Sequence, residues 1–157
     1  MTEKTLAFTL DTPEDTARFA TLLGAQLAPG DVVLLEGDVG AGKTHFARSL
    51  IQSLLSHAED VPSPTFTLVQ TYPTELGDIW HADLYRLTST HEIEELGLVD
   101  AFETDICLVE WPDRLGPLVP AHGLTLSFMP AETETARHMT VRWTDRKWDS
   151  KLKDWRK

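Results

Sequence analysis

The stretch that decides the fold of this chain is Gly37-Asp38-Val39-Gly40-Ala41-Gly42-Lys43-Thr44. An apolar run at residues 32–35 precedes it and predicts a buried strand, and a helical pattern over residues 45–55 follows it. This order of strand, glycine-rich loop and helix is typical of a phosphate-binding Walker A loop. The backbone N–H groups of such a loop and the positive end of its helix attract anionic oxygen.

Two side chains of this loop carry the expected chemistry. Lys43 is placed to reach the β- and γ-phosphates of a nucleotide, and the Thr44 hydroxyl is placed to ligate Mg²⁺. Glycine at positions 37, 40 and 42 allows backbone angles and a close approach of phosphate that a Cβ would forbid. The sequence therefore predicts that this chain binds a nucleoside triphosphate.

Length and composition indicate one globular domain. The chain has 157 residues, of which 41% are hydrophobic and 25% are charged, and this suits a single hydrophobic core. No apolar stretch reaches the length of a membrane span, and residues 1–4 lack the apolar core of a signal peptide. The single cysteine, Cys107, lies in an apolar run and leaves no disulfide framework. We therefore expect a cytoplasmic protein with no membrane association.

Charge is distributed unevenly along the chain. The net charge is −11, but residues 145–157 hold six basic and three acidic residues and carry +3, which leaves −14 on residues 1–144. A body this acidic is repelled by a phosphate backbone, which argues against a broad nucleic-acid-binding face. The basic tail, residues 145–157, either contacts nucleic acid or an acidic partner, or forms a solvated helix. Helical spacing of Trp148, Leu152 and Trp155 favours the helix.

The remaining pattern predicts an α/β fold. We expect a single P-loop NTPase-type domain over residues 1–144, with a mostly parallel central sheet flanked by helices and an antiparallel C-terminal hairpin. Further helices are predicted at about 13–27 and at 91–96, the second ended by Gly97. Further strands are predicted at 5–10, 65–71, 79–84, 106–109, 124–128 and 139–143, with the hairpin loop at 131–137.

Two acidic residues stand at the ends of predicted strands. Glu110 directly follows the apolar run 106–109, which is the arrangement of a Walker B acid, and Asp83 ends the strand before it. Nucleotides bind at the carboxyl ends of strands in open α/β sheets. The two carboxylates could therefore divide the work, one holding Mg²⁺ and the other positioning the attacking water. The simpler alternative for each is a surface acid at the end of a strand.

Three other residues have both a functional and a structural interpretation. Pro62 and Pro64 stiffen the backbone around Thr65, whose hydroxyl could serve the γ-phosphate or Mg²⁺ as a switch threonine, or could simply lead into a strand. His81 is either a proton carrier or a packed, hydrogen-bonded residue. Trp111 could stack on an adenine or a partner, or could cover the edge of the sheet.

Five segments occur together in the order and spacing of one family. They are the loop 37–44, Ser63-Pro64-Thr65-Phe66-Thr67-Leu68-Val69, His81-Ala82-Asp83-Leu84-Tyr85-Arg86, Glu94-Glu95-Leu96-Gly97 and Val109-Glu110-Trp111-Pro112. In this combination the chain resembles the TsaE family (older name YjeE), P-loop ATPases of bacterial tRNA threonylcarbamoyladenosine (t6A) biosynthesis. The resemblance covers residues 5–143 and is far more specific than the Walker A loop alone.

The resemblance implies a compact P-loop fold, slow Mg²⁺-dependent hydrolysis of ATP and association with the TsaD–TsaB pair. That pair installs the threonylcarbamoyl group on adenosine 37 of tRNA, so the ATPase would not be the transferase and would meet tRNA only through its partners. The nucleotide cycle of the family is thought to reset the TsaD–TsaB complex between turnovers.

The resemblance also implies roles for individual residues. Thr44 and Glu110 would serve Mg²⁺, Asp83 would be a second essential acid, and the two switches would be Ser63-Pro64-Thr65 and residues 81–86. Two departures from the family pattern are His45, where a second small hydroxyl residue is usual, and the unmatched tail beyond Trp143. Nucleotide-binding residues carried over by motif are Asp38, Val39, Gly40, Ala41, Gly42 and Lys43, with Pro13 and Arg137 expected to flank the adenine.

Two other functions share the Walker A loop. A small-molecule kinase would need an acceptor pocket and usually an arginine-bearing lid, yet only eight Lys or Arg residues precede position 145 and none forms an Arg-rich segment. A nucleotide-gated binding module with negligible hydrolysis would use Thr65 and Asp83 as a switch alone. Measurement of turnover and product separates both from an ATPase.

Overall fold

Seven strands form one mixed sheet in the part of the chain that the computed structural model describes, residues 2–38, 42–55, 60–62, 64 and 68–156. The strands are β1 (Lys4–Leu10), β2 (Val32–Glu36), β3 (Val69–Thr74), β4 (Gly77–Asp83), β5 (Ile106–Glu110), β6 (Leu124–Pro130) and β7 (Arg137–Trp143). The helices are α1 (Pro13–Gly24), α2 (Lys43–Leu54), α3 (Thr90–Glu95), α4 (Leu98–Thr104) and α5 (Lys147–Lys151), with 3₁₀ segments at Pro112–Leu118 and Lys153–Arg156.

The sheet is parallel at its centre and antiparallel at its edges. Its order is β1-β7-β6-β2-β5-β4-β3, in which β6, β2, β5 and β4 are mutually parallel. Antiparallel pairing adds β7 and β1 at one edge and β3 at the other. The predicted α/β architecture, with its parallel centre and its C-terminal β6–β7 hairpin, is confirmed.

Each central strand buries both faces. In β2, Val33 and Leu35 pack on the side of α1 and α2, while Val32 and Leu34 pack on the side of α3 and α4. The period of two between successive side chains produces this division, and it explains why central strands read as unbroken apolar runs. None of the described helices is long and apolar enough to cross a membrane.

Some element boundaries differ from the predicted ones. Helix α1 ends at Gly24 rather than near Leu27, because the N–H of Gln26 and of Leu27 donate to carbonyls only three residues back. Leu27 is nevertheless buried, so the spacing of apolar residues correctly predicted its burial although its backbone forms a turn. Gly97 ends α3 as predicted, but its left-handed φ of 79° also begins α4, which the sequence pattern did not indicate. Residues 65–67 of the predicted strand 65–71 lie outside the described residues.

The basic tail packs into the hydrophobic core. Trp148, Leu152 and Trp155 are at most 4% exposed, although they are divided between α5 and the following 3₁₀ segment. The indole N–H of Trp148 donates to the carbonyl of His122 at 2.8 Å, and that of Trp155 donates to the carbonyl of Phe19 at 2.9 Å. These residues cover α1 and the end of the sheet, so the tail is structurally continuous with the domain.

A buried carboxylate ties the tail to the start of β2. Asp31, only 2% exposed, forms ion pairs with Lys147 at 2.9 Å and with Lys151, and it accepts a hydrogen bond from the N–H of Ala28 at 2.9 Å. Burial would raise the pKa of Asp31, but the hydrogen bonds from Lys147 and Lys151 outweigh burial and lower the pKa. The ionised form of Asp31 therefore stabilises the folded state.

Replacement of Asp31 should make this contribution measurable. We expect Asp31→Asn to lower the free energy of unfolding by about 2 kcal/mol at neutral pH, because hydrogen bonds to a charged group are lost. The contribution of Asp31 is fully present above its unfolded pKa of about 3.8 and is lost as the pH falls through the lower folded pKa. Urea unfolding of both proteins across this range should therefore give free energies of unfolding that differ at neutral pH and become equal in acid.

The matched control is Asp78→Asn, which removes an exposed carboxylate from β4. We expect it to change stability by less than about 0.5 kcal/mol. A constant difference between Asp31→Asn and the original chain at every pH would contradict the electrostatic role of Asp31.

Candidate functional site

The N-terminus of α2 is set by a left-handed glycine. Gly42 has φ of 112°, and its carbonyl accepts the first helical hydrogen bond, from the N–H of Phe46 at 3.0 Å. A Cβ at Gly42 would approach its nearest neighbours, in Arg137 and Phe128, only to 3.9–4.0 Å, so the backbone angle rather than space requires glycine. Asp38 lies at the other end of the loop, and Val39, Gly40 and Ala41 lie outside the described residues.

Lys43 is buried at the start of α2. The residue is only 4% exposed, and its ammonium donates to the carbonyl of Gly37, which directly follows β2. The ammonium also lies 3.5 Å from the centroid of the Trp111 ring, in cation–π geometry. The predicted phosphate-binding lysine is therefore held between a carbonyl and an aromatic face.

The electrostatic environment of Lys43 combines burial with nearby negative charge. Burial lowers the pKa of Lys43 from its usual value, and the carboxylates of Glu110, Asp83, Asp38 and Asp113 oppose this only in part. The ammonium is thus less stable here than in water. A polyanion bound at this point would stabilise the ammonium further.

Glu110 is the centre of a buried hydrogen-bond network. One of its oxygens, Oε1, accepts from the Thr44 hydroxyl at 2.7 Å, and the other, Oε2, is 2.7 Å from Nε2 of His81. Glu110 is 2% exposed and His81 is fully buried. The alternative of a surface acid is therefore wrong for Glu110, and His81 is a hydrogen-bonded residue of the site.

Asp83 lies beside Glu110 because β4 and β5 are parallel and in register at these two residues. Its Oδ1 accepts from the N–H of Tyr85 at 3.0 Å, and its own N–H donates to the carbonyl of Leu68 at 2.9 Å. At 7% exposure Asp83 is likewise buried rather than a surface acid. Thr65 and Ser63 of the predicted first switch lie outside the described residues, so the role of Thr65 stays a prediction.

The donor set fits Mg²⁺. The Thr44 hydroxyl and the Glu110 carboxylate are hard oxygen ligands already in contact, with a second carboxylate, Asp83, on the next strand. Among the described residues, no group of three or more His, Cys, Asp or Glu side chains is arranged to hold a metal ion unaided. Mg²⁺ commonly binds through one or two carboxylates together with substrate phosphates, which suits this site.

The structure shows where the Trp111 ring lies, for which the sequence left several positions open. It has a left-handed φ of 59°, which is uncommon outside glycine, and its ring covers Lys43 and lies 4.7 Å from the ring of Tyr85. Trp111 therefore forms one wall of the lysine pocket. Its position directly after Glu110 indicated that Trp111 lies near the site, but only the backbone conformation of the structure shows where the ring points.

Pro13 and Arg137 both border the start of α2. His45 Nε2 donates to the carbonyl of Pro13 at 3.0 Å, and the Arg137 side chain passes beside Gly42. The guanidinium of Arg137 donates to the carbonyls of Glu134 and Ala136, each at 2.8 Å. Both residues are thus close to the start of α2, and their contact with adenine stays a prediction.

Comparison with known proteins identifies relatives of the chain. A family model described as threonylcarbamoyl adenosine biosynthesis protein TsaE matches residues 10–139. The tRNA threonylcarbamoyladenosine biosynthesis protein TsaE of Rickettsia bellii is 44% identical over 111 residues, which cover 71% of this chain and 77% of that protein. The protein of the same name from Bacillus subtilis is 39% identical over 115 residues, covering 73% and 71%.

A solved structure also resembles the whole chain. The crystal structure of Bacillus subtilis YdiB superposes with a TM-score of 0.81 at 28% identity, covering 98% of this chain and 95% of that one. The match to the family model includes every described site residue from Pro13 to Arg137, whereas the basic tail lies beyond it.

In the absence of nucleotide, the buried ammonium of Lys43 should lower the free energy of unfolding. We expect Lys43→Met to raise the free energy of unfolding by about 1 kcal/mol at neutral pH, because a buried ammonium is replaced by an apolar chain of similar length. The gain should be largest below the folded pKa of Lys43 and should vanish as the pH approaches 10.5, where the unfolded lysine also loses its proton.

Urea unfolding of nucleotide-free protein measures this difference, and Lys153→Met on the exposed face of the tail is the control. A less stable Lys43→Met variant would show that the Gly37 hydrogen bond and the Trp111 contact outweigh desolvation of the ammonium.

Proposed function

The chain belongs to the TsaE family, and from this we propose that it is the Mg²⁺-dependent ATPase that supports TsaD–TsaB in t6A biosynthesis. A role in the t6A pathway follows from the family itself. The observation that supports ATP hydrolysis is the contact of Thr44 with Glu110 beside the buried Lys43. Hydroxyl, carboxylate and ammonium meet at the carboxyl ends of parallel strands, where α/β folds bind nucleotides.

Phosphate binding would use the buried charge of Lys43. The ammonium would exchange the Gly37 carbonyl for anionic phosphate oxygen, a stronger hydrogen-bond acceptor. The N-terminus of α2, with Gly42 at its cap, adds backbone N–H donors and the positive end of a helix dipole. Pro13 and Arg137, which both border this helix start, would flank the adenine.

Thr44 and Glu110 would hold the metal ion, with Asp83 next to them. Mg²⁺ held there would supply positive charge that offsets the negative charge developing on the phosphates during transfer. Asp83, in register with Glu110 on the neighbouring strand, would position the attacking water. Thr65 would complete the site from the first switch.

The charge of the domain agrees with indirect contact with tRNA. Residues 1–144 carry −14, so the RNA would be held by TsaD and TsaB rather than by this chain. Less of the tail's positive charge is available to partners than its composition indicates, because Lys147 and Lys151 form ion pairs with Asp31. In this proposal the chain supplies a nucleotide cycle and the partners perform the transfer.

Site variants test the proposed hydrolysis. We expect Lys43→Ala to reduce ATP affinity about 100-fold, because charge-assisted hydrogen bonds worth about 1.5–3 kcal/mol are lost. Glu110→Gln and Asp83→Asn should retain ATP binding within about tenfold and lose at least about 100-fold in turnover. Calorimetry measures binding, and phosphate release with analysis of the nucleotide product measures turnover.

The control is Asp100→Asn, an exposed carboxylate of α4, which should leave both quantities unchanged. Full turnover by Glu110→Gln would contradict the assignment of Glu110. Phosphorylation of an added small alcohol or nucleoside would indicate a kinase, and nucleotide-dependent partner binding without turnover would indicate a gated module.

Addition of TsaD–TsaB from the same source tests the partner assignment. We expect slow basal hydrolysis to rise at least about fivefold with the pair, and a complex whose affinity differs between ATP and ADP. Lys43→Ala should abolish the stimulation, whereas Asp100→Asn should retain it. An unchanged rate together with no detectable complex would contradict the partner assignment and leave the ATPase assignment intact.

A further inference from the structure

The pair of His81 and Glu110 is enclosed by the protein. His81 is fully buried, Glu110 is 2% exposed, and His81 Nε2 lies 2.7 Å from Glu110 Oε2. His81 stands two residues before Asp83 on β4, so the two side chains point to the same face of the sheet. A carboxylate without access to water requires donors from the protein to remain ionised.

The two donors to Glu110 come from different elements. Thr44, at the start of α2, donates to Oε1, and His81, in the middle of β4, reaches Oε2. A carboxylate held at one oxygen still rotates about its last bond, whereas one held at both has a fixed plane. His81 therefore determines the direction in which Oε1 faces the Thr44 hydroxyl.

The surroundings of the second ring nitrogen indicate the tautomer. Nδ1 of His81 is buried and has no hydrogen-bond partner among the described residues. A proton on Nδ1 alone would be a buried donor without an acceptor, which costs about 1–3 kcal/mol, and would leave Nε2 without a proton to donate. A ring that carries a proton on Nε2 donates to Glu110.

We propose that His81 is a positioning residue, whose Nε2–H orients the Glu110 carboxylate for metal binding. The inference rests on the proposed function, since it specifies how the Mg²⁺ carboxylate of that site is held. His81 touches neither metal nor nucleotide and acts through Glu110 alone. Partners that orient a metal-binding group typically contribute 10–100-fold to metal affinity or activity.

Two substitutions separate the hydrogen bond from packing. Gln places an amide N–H donor the same number of bonds from Cβ as Nε2 of histidine, whereas Leu fills part of the space without a donor. We expect His81→Leu to weaken Mn²⁺ binding, measured by electron paramagnetic resonance with a non-hydrolysable ATP analogue, by about 10–100-fold. His81→Gln should restore binding to within about fivefold of the original chain, and the Mg²⁺ concentration for half-maximal hydrolysis should follow the same order.

The control is Ile79→Ala, which removes buried apolar volume from the same face of β4 without contacting Glu110. It should lower the melting temperature and leave Mn²⁺ affinity unchanged. Equal Mn²⁺ affinity of His81→Leu and the original chain would overturn the role of His81 and leave the proposed ATPase activity of the chain unaffected. Mn²⁺ binding without ATP hydrolysis in the original chain would instead contradict the proposed ATPase activity. The role of His81 would then still be tested by the Mn²⁺ affinities of the variants.

Nitrogen NMR of the histidine rings gives a test that needs no variant to fold. In the original chain without nucleotide, the long-range ¹H–¹⁵N spectrum should show a proton on Nε2 of His81. A ring protonated at Nδ1 alone would overturn the proposal.

Discussion

Parallel pairing of β2, β5 and β4 is the constraint on which the rest of this structure depends. The pairing sets Leu35, Glu110 and Asp83 in register, so the carboxyl ends of three strands meet at one edge of the sheet. The loop after β2 then leads into α2, which brings Thr44 against Glu110. Residues from four elements converge because the backbone hydrogen bonds of the sheet leave them no other register.

The site concentrates charge in a place that water scarcely reaches. Burial disfavours the ammonium of Lys43, and Glu110 is buried in contact with Thr44 and His81. Such an arrangement costs folding free energy, and the two apolar layers on either side of the sheet must offset it. The tail contributes to one of these layers through three buried residues, Trp148, Leu152 and Trp155.

Much of the fold and part of the site were predictable from local pattern. The unbroken apolar runs of β2 and β5 indicated central parallel strands, and the acid at the end of β5 indicated Glu110. The end of α1 and the existence of α4 were not predictable, because α1 stops within an apolar spacing that continues to Leu27 and Gly97 serves two helices at once. Short helices carry too few residues for their period to be recognised.

Short-range sequence was enough to predict the glycine-rich loop, the α/β class and the two acids at strand ends, because each depends on neighbours within a few residues. The partners of those groups depend on contacts between distant segments. His81 is 29 residues from Glu110, and Asp31 is 120 residues from Lys151. No local pattern encodes such pairs, since they arise when sheet register and core packing bring the segments together. Only the tertiary structure therefore shows that His81 contacts Glu110 and that the basic tail packs into the core.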